Sequence, residues 1–184
     1  MDAGCELHGY SSDVTRSWPV AGTFTPDQAR VYSAVLSVWR ACLALCRPGR
    51  TLHDIHATSV ALLTSAMKEF GAPLSSRLPH TQPYTRFYAH SVGHWLGMDT
   101  HDCATVSLTT PLQPGVVLAL EPGLYFPAHP DTPAWLWDIG IRIEDDVLIT
   151  DGEPEVLSQG VPREKDDVEA LLHDMAAAAG RGSP

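Results

Sequence analysis

The sequence predicts an α+β fold, and three observations carry that expectation. Two stretches, one opening at Thr25-Pro26 and one at Thr51, space their apolar residues at helical intervals behind a good N-cap. Segments before and after them alternate, or run apolar and β-branched, over strand-like lengths bounded by Gly and Pro. No tandem repeat, low-complexity tract or linker divides the 184 residues, a length that suits one domain with its own core.

The elements follow in order. "MDAGCEL" and "DVTRSWPV" read as two strands around a turn in "HGYSS". Thr25 caps the first helix with Pro26 at its first position. Val31, Val35, Val38, Trp39, Cys42 and Cys46 form its apolar stripe, and "RPG" at 47–49 stops it. The second helix starts at Thr51 with Asp54 three residues on, a capping-box variant. Its stripe is Leu52, Ile55, Leu62, Leu63, Ala66, Met67 and Phe70, and Gly71 ends it. "APLSSRLPHTQPYTR" is a Pro- and Ser-rich loop. "HSVGHWLGMDTHD", residues 90–102, reads as a short strand and a turn, since Gly93 and Gly97 weaken a helix while Val92 and Trp95 suit a strand. "VVLALEPGLYF" is an apolar strand carrying Glu121, "PAHPDTPAW" a loop, and "IGIRIEDDVLIT" a half-buried alternating strand. "PREKDDVEALLHDMAAAAG" suits a closing amphipathic helix, with "RGSP" frayed.

Composition narrows the function classes. A net charge of −10, from 22 acids against 12 bases, disfavours nonspecific nucleic-acid binding, which needs a basic footprint. The apolar run Val31 to Cys46 contains Arg40 and falls short of a membrane span, and "MDAGCELHGY" lacks the apolar core of a signal peptide. A soluble chain without membrane partners is expected. Cys5, Cys42, Cys46 and Cys103 form no CxxC pair, so reduced, buried thiols are expected in place of a disulfide framework or a thiolate zinc site.

The chemistry concentrates in acids on strand-like segments. A carboxylate in an apolar strand is costly unless something positive pairs with it. Asp2 and Asp13 lie across the first turn, Glu121 in "LALEPG", and Glu144 in "IRIEDD". With one histidine from "HSVGHWLGMDTHD" they make an oxygen-rich set whose four negative charges two divalent ions would balance. Such a set favours manganese, while zinc and cobalt also accept it. Each residue has a plainer reading: Asp13 as a turn or cap residue, Glu144 as an edge charge, His94 as a core histidine. His90 and His94 are four apart and share a face on a helix or a strand, whereas His101 is an odd step beyond His94. Spacing alone leaves open whether these imidazoles hold metal, move protons or do neither.

"MDAGCELHGYSSDVTRSWPV", "HSVGHWLGMDTHD", "LQPGVVLALEPGLYF" and "GIRIEDDVLIT", in that order, resemble the catalytic domain of the Xaa-Pro aminopeptidases, or aminopeptidases P, among the pita-bread metallopeptidases. "DxTRxWPV" looks more like aminopeptidase P than like its relatives. The resemblance implies an incomplete pita-bread fold, a curved antiparallel sheet with flanking helices. It spans a catalytic domain over residues 1–175 and a flexible tail over 176–184. Carried over, the metal ligands fall on Asp2, Asp13, His94, Glu121 and Glu144, with Asp13 and Glu144 bridging two ions. His90, His101 and Arg142 fall on non-ligand active-site positions, and Glu121 doubles as general base and acid. Tyr125 and Trp95 are candidate pocket walls. The implied reaction is hydrolysis before a penultimate proline by a hydroxide that two ions, foremost Mn2+, activate. Peptides are the implied partners, a homodimer is compatible, and the mitochondrion or cytoplasm is the implied compartment. Relatives carry an upstream histidine strand absent from these residues, so weak hydrolysis by this chain alone is expected. The rivals are a prolidase-type dipeptidase, which would spare tripeptides, and a non-catalytic interaction module, which would take up no divalent ion.

Overall fold

The computed structural model describes residues 1–74 and 82–180. The chain opens with β1 (Asp2–Ala3), β2 (Glu6–Leu7), β3 (Tyr10–Ser11) and β4 (Val14–Thr15). These are one antiparallel hairpin, β2 pairing β3 at its tip and β1 pairing β4 at its base. His8 and Gly9 both adopt positive φ, 54° and 85°, the signature of a two-residue hairpin turn that follows strand twist. The hairpin is interrupted where Ser12 donates its N–H to the Cys5 carbonyl. Asp13 sits at that interruption, one residue before β4, and not within a strand.

Helices α1 (Pro26–Leu43) and α2 (Leu52–Glu69) begin where their caps predict. Thr25 and Gln28 form one capping box, Thr51 and Asp54 the other, so two of the N-terminal donors of each helix are satisfied by side chains. Gly71, at φ 75°, follows the end of α2. Two stripe residues depart from expectation. Cys46, though buried, lies beyond the end of α1 at Leu43. Leu62 is 39% exposed, because the buried face of α2 is narrow and runs through Leu52, Ile55, Ser59, Leu63 and Met67. A single-turn 3-10 helix covers Pro83–Arg86 within the expected loop, whose residues 75–81 lie outside those described.

After α2 come β5 (Gly93–Trp95), β6 (Val117–Leu120), β7 (Gly123–Phe126), β8 (Ile139–Arg142), β9 (Asp145–Leu148) and β10 (Glu155–Val156). Both long strands expected from sequence are split. "VVLALEPGLYF" breaks at Glu121-Pro122 and "IGIRIEDDVLIT" at Ile143-Glu144. The breaks face each other: Leu120 pairs with Asp145 on one side and Gly123 with Arg142 on the other. The two strands therefore form one bent antiparallel ribbon. Its first half joins the sheet β10-β9-β6-β5, and its second half stands as β7-β8. Pro122 has no N–H to give the ladder. At the bend the ribbon changes neighbours, Glu121 N donating to Val92 O at 2.7 Å and Glu144 N to Thr15 O at 3.1 Å.

The core lies between the ribbon and the helices. Val31, Val35 and Trp39 of α1 and Ile55, Leu63 and Met67 of α2 pack with Leu118, Leu120, Leu124, Phe126, Ile141 and Val147 of the ribbon. Helix α3 (Lys165–Gly180) closes over α1 through Val168, and it runs past residue 175, where a tail was expected to begin. Cys42 and Cys46 are buried free thiols as expected, but Cys5 and Cys103 are exposed. None of the described helices is long and apolar enough to cross a membrane.

At Gly93 the backbones approach so closely that a Cβ would lie 2.0 Å from the Ala119 carbonyl oxygen of β6. Gly93→Ala is expected to lower unfolding free energy in urea by about 1–3 kcal/mol through overpacking of the β5–β6 pair.

Candidate metal centre

The bend in the ribbon, the interruption in the hairpin and strand β5 meet at one point. Three overlapping groups of ligand atoms gather there, each within 4.8 Å: Asp13, His94 and His101; His94, Glu121 and Glu144; Asp2, Asp13 and Glu144. All five residues expected as metal ligands are members, and Asp13, His94 and Glu144 each belong to two groups. Asp2 is exposed at the mouth and Glu144, at 1% exposure, lies at the bottom.

The two histidines of β5 and its approach differ in what their second nitrogen faces. His94 Nδ1 lies 3.0 Å from the Trp95 carbonyl oxygen, which can only accept, so Nδ1 carries the proton. Its Nε2 lies 3.4 Å from Asp13 Oδ2 and 3.9 Å from Glu121 Oε1. An imidazole nitrogen aimed at carboxylate oxygens needs a proton or a metal cation between them, and a backbone carbonyl holding the other nitrogen is the usual support of a metal-ligating histidine. Both nitrogens of His90 are hydrogen-bonded. Its Nδ1 donates to Ser91 O at 2.7 Å, and its Nε2 accepts from the Tyr125 hydroxyl at 2.8 Å. Burial pushes its pKa down, so it stands neutral against Glu121 Oε2, 3.8 Å away.

His101 reaches the site because the turn after β5 folds back. Asp102 N donates to Trp95 O at 3.1 Å, and Cys103 takes a positive φ of 54°. The exposed His101 ring then stands edge-on to His94, centroids 4.5 Å apart. The odd sequence step that would separate them on a strand is cancelled by the turn.

Arg142 ties the mouth to the wall. Its Nη2 lies 2.7 Å from Asp2 Oδ2, its Nε donates to Thr15 Oγ1 at 3.0 Å and its Nη1 to the Tyr125 hydroxyl at 3.4 Å. Thr15 Oγ1 passes its own proton towards Glu144 Oε2. Tyr125 is thus part of the site, whereas Trp95, on the opposite face of β5, packs against the core. Thr15 was not singled out from sequence, nor was Asp146, whose carboxylate accepts the Asp13 N–H at 3.1 Å and fixes the hairpin interruption. The "DVTR" and "EDD" strings held that signal, but only the fold shows that they meet.

The electrostatics are those of acids crowded without a counter-charge. Burial, then repulsion from Asp13, Glu121 and Asp2 outweighing the Thr15 hydrogen bond, raises Glu144 to about 8. Burial raises Glu121 to about 7 although Arg142 opposes the shift. Burial and Asp2 also raise Asp13. One imidazole nitrogen, His94 Nε2, and four carboxylates, three of them held above their ordinary range, form a donor set that fits divalent cations.

Residues 1–151 match metallopeptidase family M24. The chain is 42% identical to Xaa-Pro aminopeptidase 3 of Mus musculus over 172 residues, 93% of this chain and 34% of that protein. It is 44% identical to mitochondrial intermediate cleaving peptidase 55 of Arabidopsis thaliana over 174 residues, 95% of this chain and 34% of that one. Among solved structures, an alanine variant of Escherichia coli aminopeptidase P superposes with a TM-score of 0.86 at 36% identity, over 94% of this chain and 40% of that chain. The chain therefore spans about a third of the length of the curated relatives it matches.

Glu121 and Glu144 bind protons more tightly in the folded chain than in the unfolded one, whose carboxyls titrate near 4.5. Their contribution to stability is therefore present at low pH and lost as pH rises from that value through about 7 and about 8. The metal-free melting temperature is expected to fall across that window. Saturating divalent metal, replacing the protons as counter-charge, is expected to remove most of the fall. Melting curves with and without metal across the window check both.

Proposed function

Because the chain belongs to metallopeptidase family M24, we propose that its acid cluster is the dinuclear metal centre of a metallo-aminopeptidase that removes an N-terminal residue standing before proline. The observation that carries this reading is His94 Nε2 aimed among carboxylates while a backbone carbonyl holds Nδ1. Asp2, Asp13, His94, Glu121 and Glu144 would hold the ions, Asp13 and Glu144 each belonging to two of the ligand-atom groups. The oxygen-rich set suits Mn2+. When bound, the ions supply an activated water and a polarised scissile carbonyl.

The chain's own groups do the rest. Glu121, at the kink of the ribbon with its carboxyl raised to about 7 in the metal-free chain, takes the proton of the attacking water and delivers it to the leaving nitrogen. A proline nitrogen carries no hydrogen in the peptide, so it must receive that proton to depart. His101, on the open side of His94, is placed to stabilise the tetrahedral oxyanion. His90, kept neutral by burial and held in place by Ser91 and Tyr125, orients the peptide. Arg142 keeps Asp2 and Tyr125 in place. Residues 1–175 form the catalytic unit, and the name of the Arabidopsis relative favours the mitochondrion over the cytoplasm.

The test is an Xaa-Pro-Yaa tripeptide with the Mn2+-loaded chain. Metal-dependent release of the first residue is expected, and Glu144→Gln is expected to lower it by more than about 100-fold. Cleavage of Xaa-Pro dipeptides alone would turn the assignment to a prolidase. A folded chain that takes up no divalent ion would overturn the enzyme reading altogether.

A further inference from the structure

Arg16 is the residue of the "DVTRSWPV" motif that the reaction leaves without a task. It is 7% exposed, and every arm of its guanidinium is engaged. Nη1 donates to the carbonyls of Thr15 at 2.9 Å and Glu144 at 2.5 Å. Nη2 donates to Asp145 Oδ1 at 2.7 Å and Val161 O at 2.9 Å, and Nε to Pro162 O at 2.8 Å. Only the Asp145 contact is an ion pair. The others grip backbone from the hairpin, the ribbon bend and the segment before α3.

The two carbonyls on Nη1 belong to the residues whose side chains meet at the bottom of the site. Thr15 Oγ1 donates to Glu144 Oε2, and Glu144 N donates to Thr15 O. The rung that joins hairpin to ribbon is therefore clamped from behind by one guanidinium. Glu144 would otherwise tend to swing away from Asp2, Asp13 and Glu121, which repel it. We propose that Arg16 is a positioning residue for the metal centre: it holds the backbone of Thr15 and Glu144 so that the Glu144 carboxylate stays aimed at both ion positions before any ion arrives.

Arg163 provides the internal contrast. Its Nη2 lies 3.2 Å from Asp145 Oδ1 and its Nε 3.1 Å from Asp145 Oδ2, the latter too poorly aligned for a hydrogen bond. It stacks over Trp39 at 4.5 Å. It thus shares the buried anion with Arg16 and makes no contact to Thr15 or Glu144 among the described residues. A purely structural account assigns the two arginines the same effect on the site.

The inference rests on the metal-centre reading, and the experiment separates the two. Mn2+ binding to wild type, Arg16→Lys and Arg163→Gln is titrated by electron paramagnetic resonance, with folding checked by circular dichroism and thermal melting. Wild type is expected to bind two ions with a spin-coupled signal, and failure there defeats the metal-centre reading itself. Arg16→Lys is expected to fold, lose the coupled signal and bind the second ion about 10–100-fold more weakly. Arg163→Gln is expected to melt lower yet keep two coupled ions at wild-type affinity. With wild type binding two ions, unchanged binding in Arg16→Lys overturns the inference, and so does an equal loss in both variants. An Arg16→Lys chain that does not fold also overturns it, because the guanidinium would then be needed for the fold and not for the site.

Discussion

Like charge brought together in a site buried at its base is the constraint around which this molecule is arranged. Asp2, Asp13, Glu121 and Glu144 would each be more stable apart, and burial together with repulsion from its neighbours lifts Glu144 far above an ordinary carboxyl. The fold prevents their separation, because none of the four sits on a free loop. Each is bracketed by strand pairs or by a buried hydrogen bond that fixes its backbone. On the proposed metal-centre reading, cations offset the cost of that concentration, and His94 Nε2, aimed among the carboxylates, supports it from the donor side.

The means is controlled irregularity. Regular antiparallel strands would send successive side chains to alternate faces and could not aim residues from three segments at one point. The hairpin is interrupted next to Asp13, and both arms of the ribbon break opposite each other at Glu121 and Glu144. At each break the freed backbone donors find partners: Asp13 N on Asp146, Glu121 N on Val92 and Glu144 N on Thr15. The interruptions therefore strand none of these buried polar groups, which is what makes them affordable. Arg16, Asp145 and Arg163 form the rear wall of the same construction, where charge is paired and fully desolvated.

The helices serve this geometry from the other side. α1 and α2 cover one face of the ribbon with Val31, Val35, Trp39, Ile55 and Met67, so the bend is set against a close-packed surface. Their caps, stripes and stops were legible in the chain, because capping and amphipathic spacing are local properties. Leu62 was misjudged for a matching reason: stripe width depends on how closely the partner surface approaches, which spacing does not contain. The split strands were misjudged because an apolar run reads alike whether it stays in one sheet or crosses between two. Pro122 was the one local hint of the break.

The sequence alone determined the α+β class, the starts of α1 and α2, the hairpin turn and the short list of acids and histidines with chemistry to do. Those rest on short-range effects, namely capping, turn dihedrals and the cost of carboxylates in apolar segments. The tertiary structure alone decided that residues from Asp2 to Glu144 share one pocket, and that His101 folds back onto His94. It also decided that Tyr125 belongs to the site and Trp95 to the core, and that Thr15, Asp146 and Arg16 support the acids. The reason is physical. Which acid stands beside which is set by strand pairing across most of the chain's length, and that pairing is fixed only when the ribbon bends and the helices pack behind it.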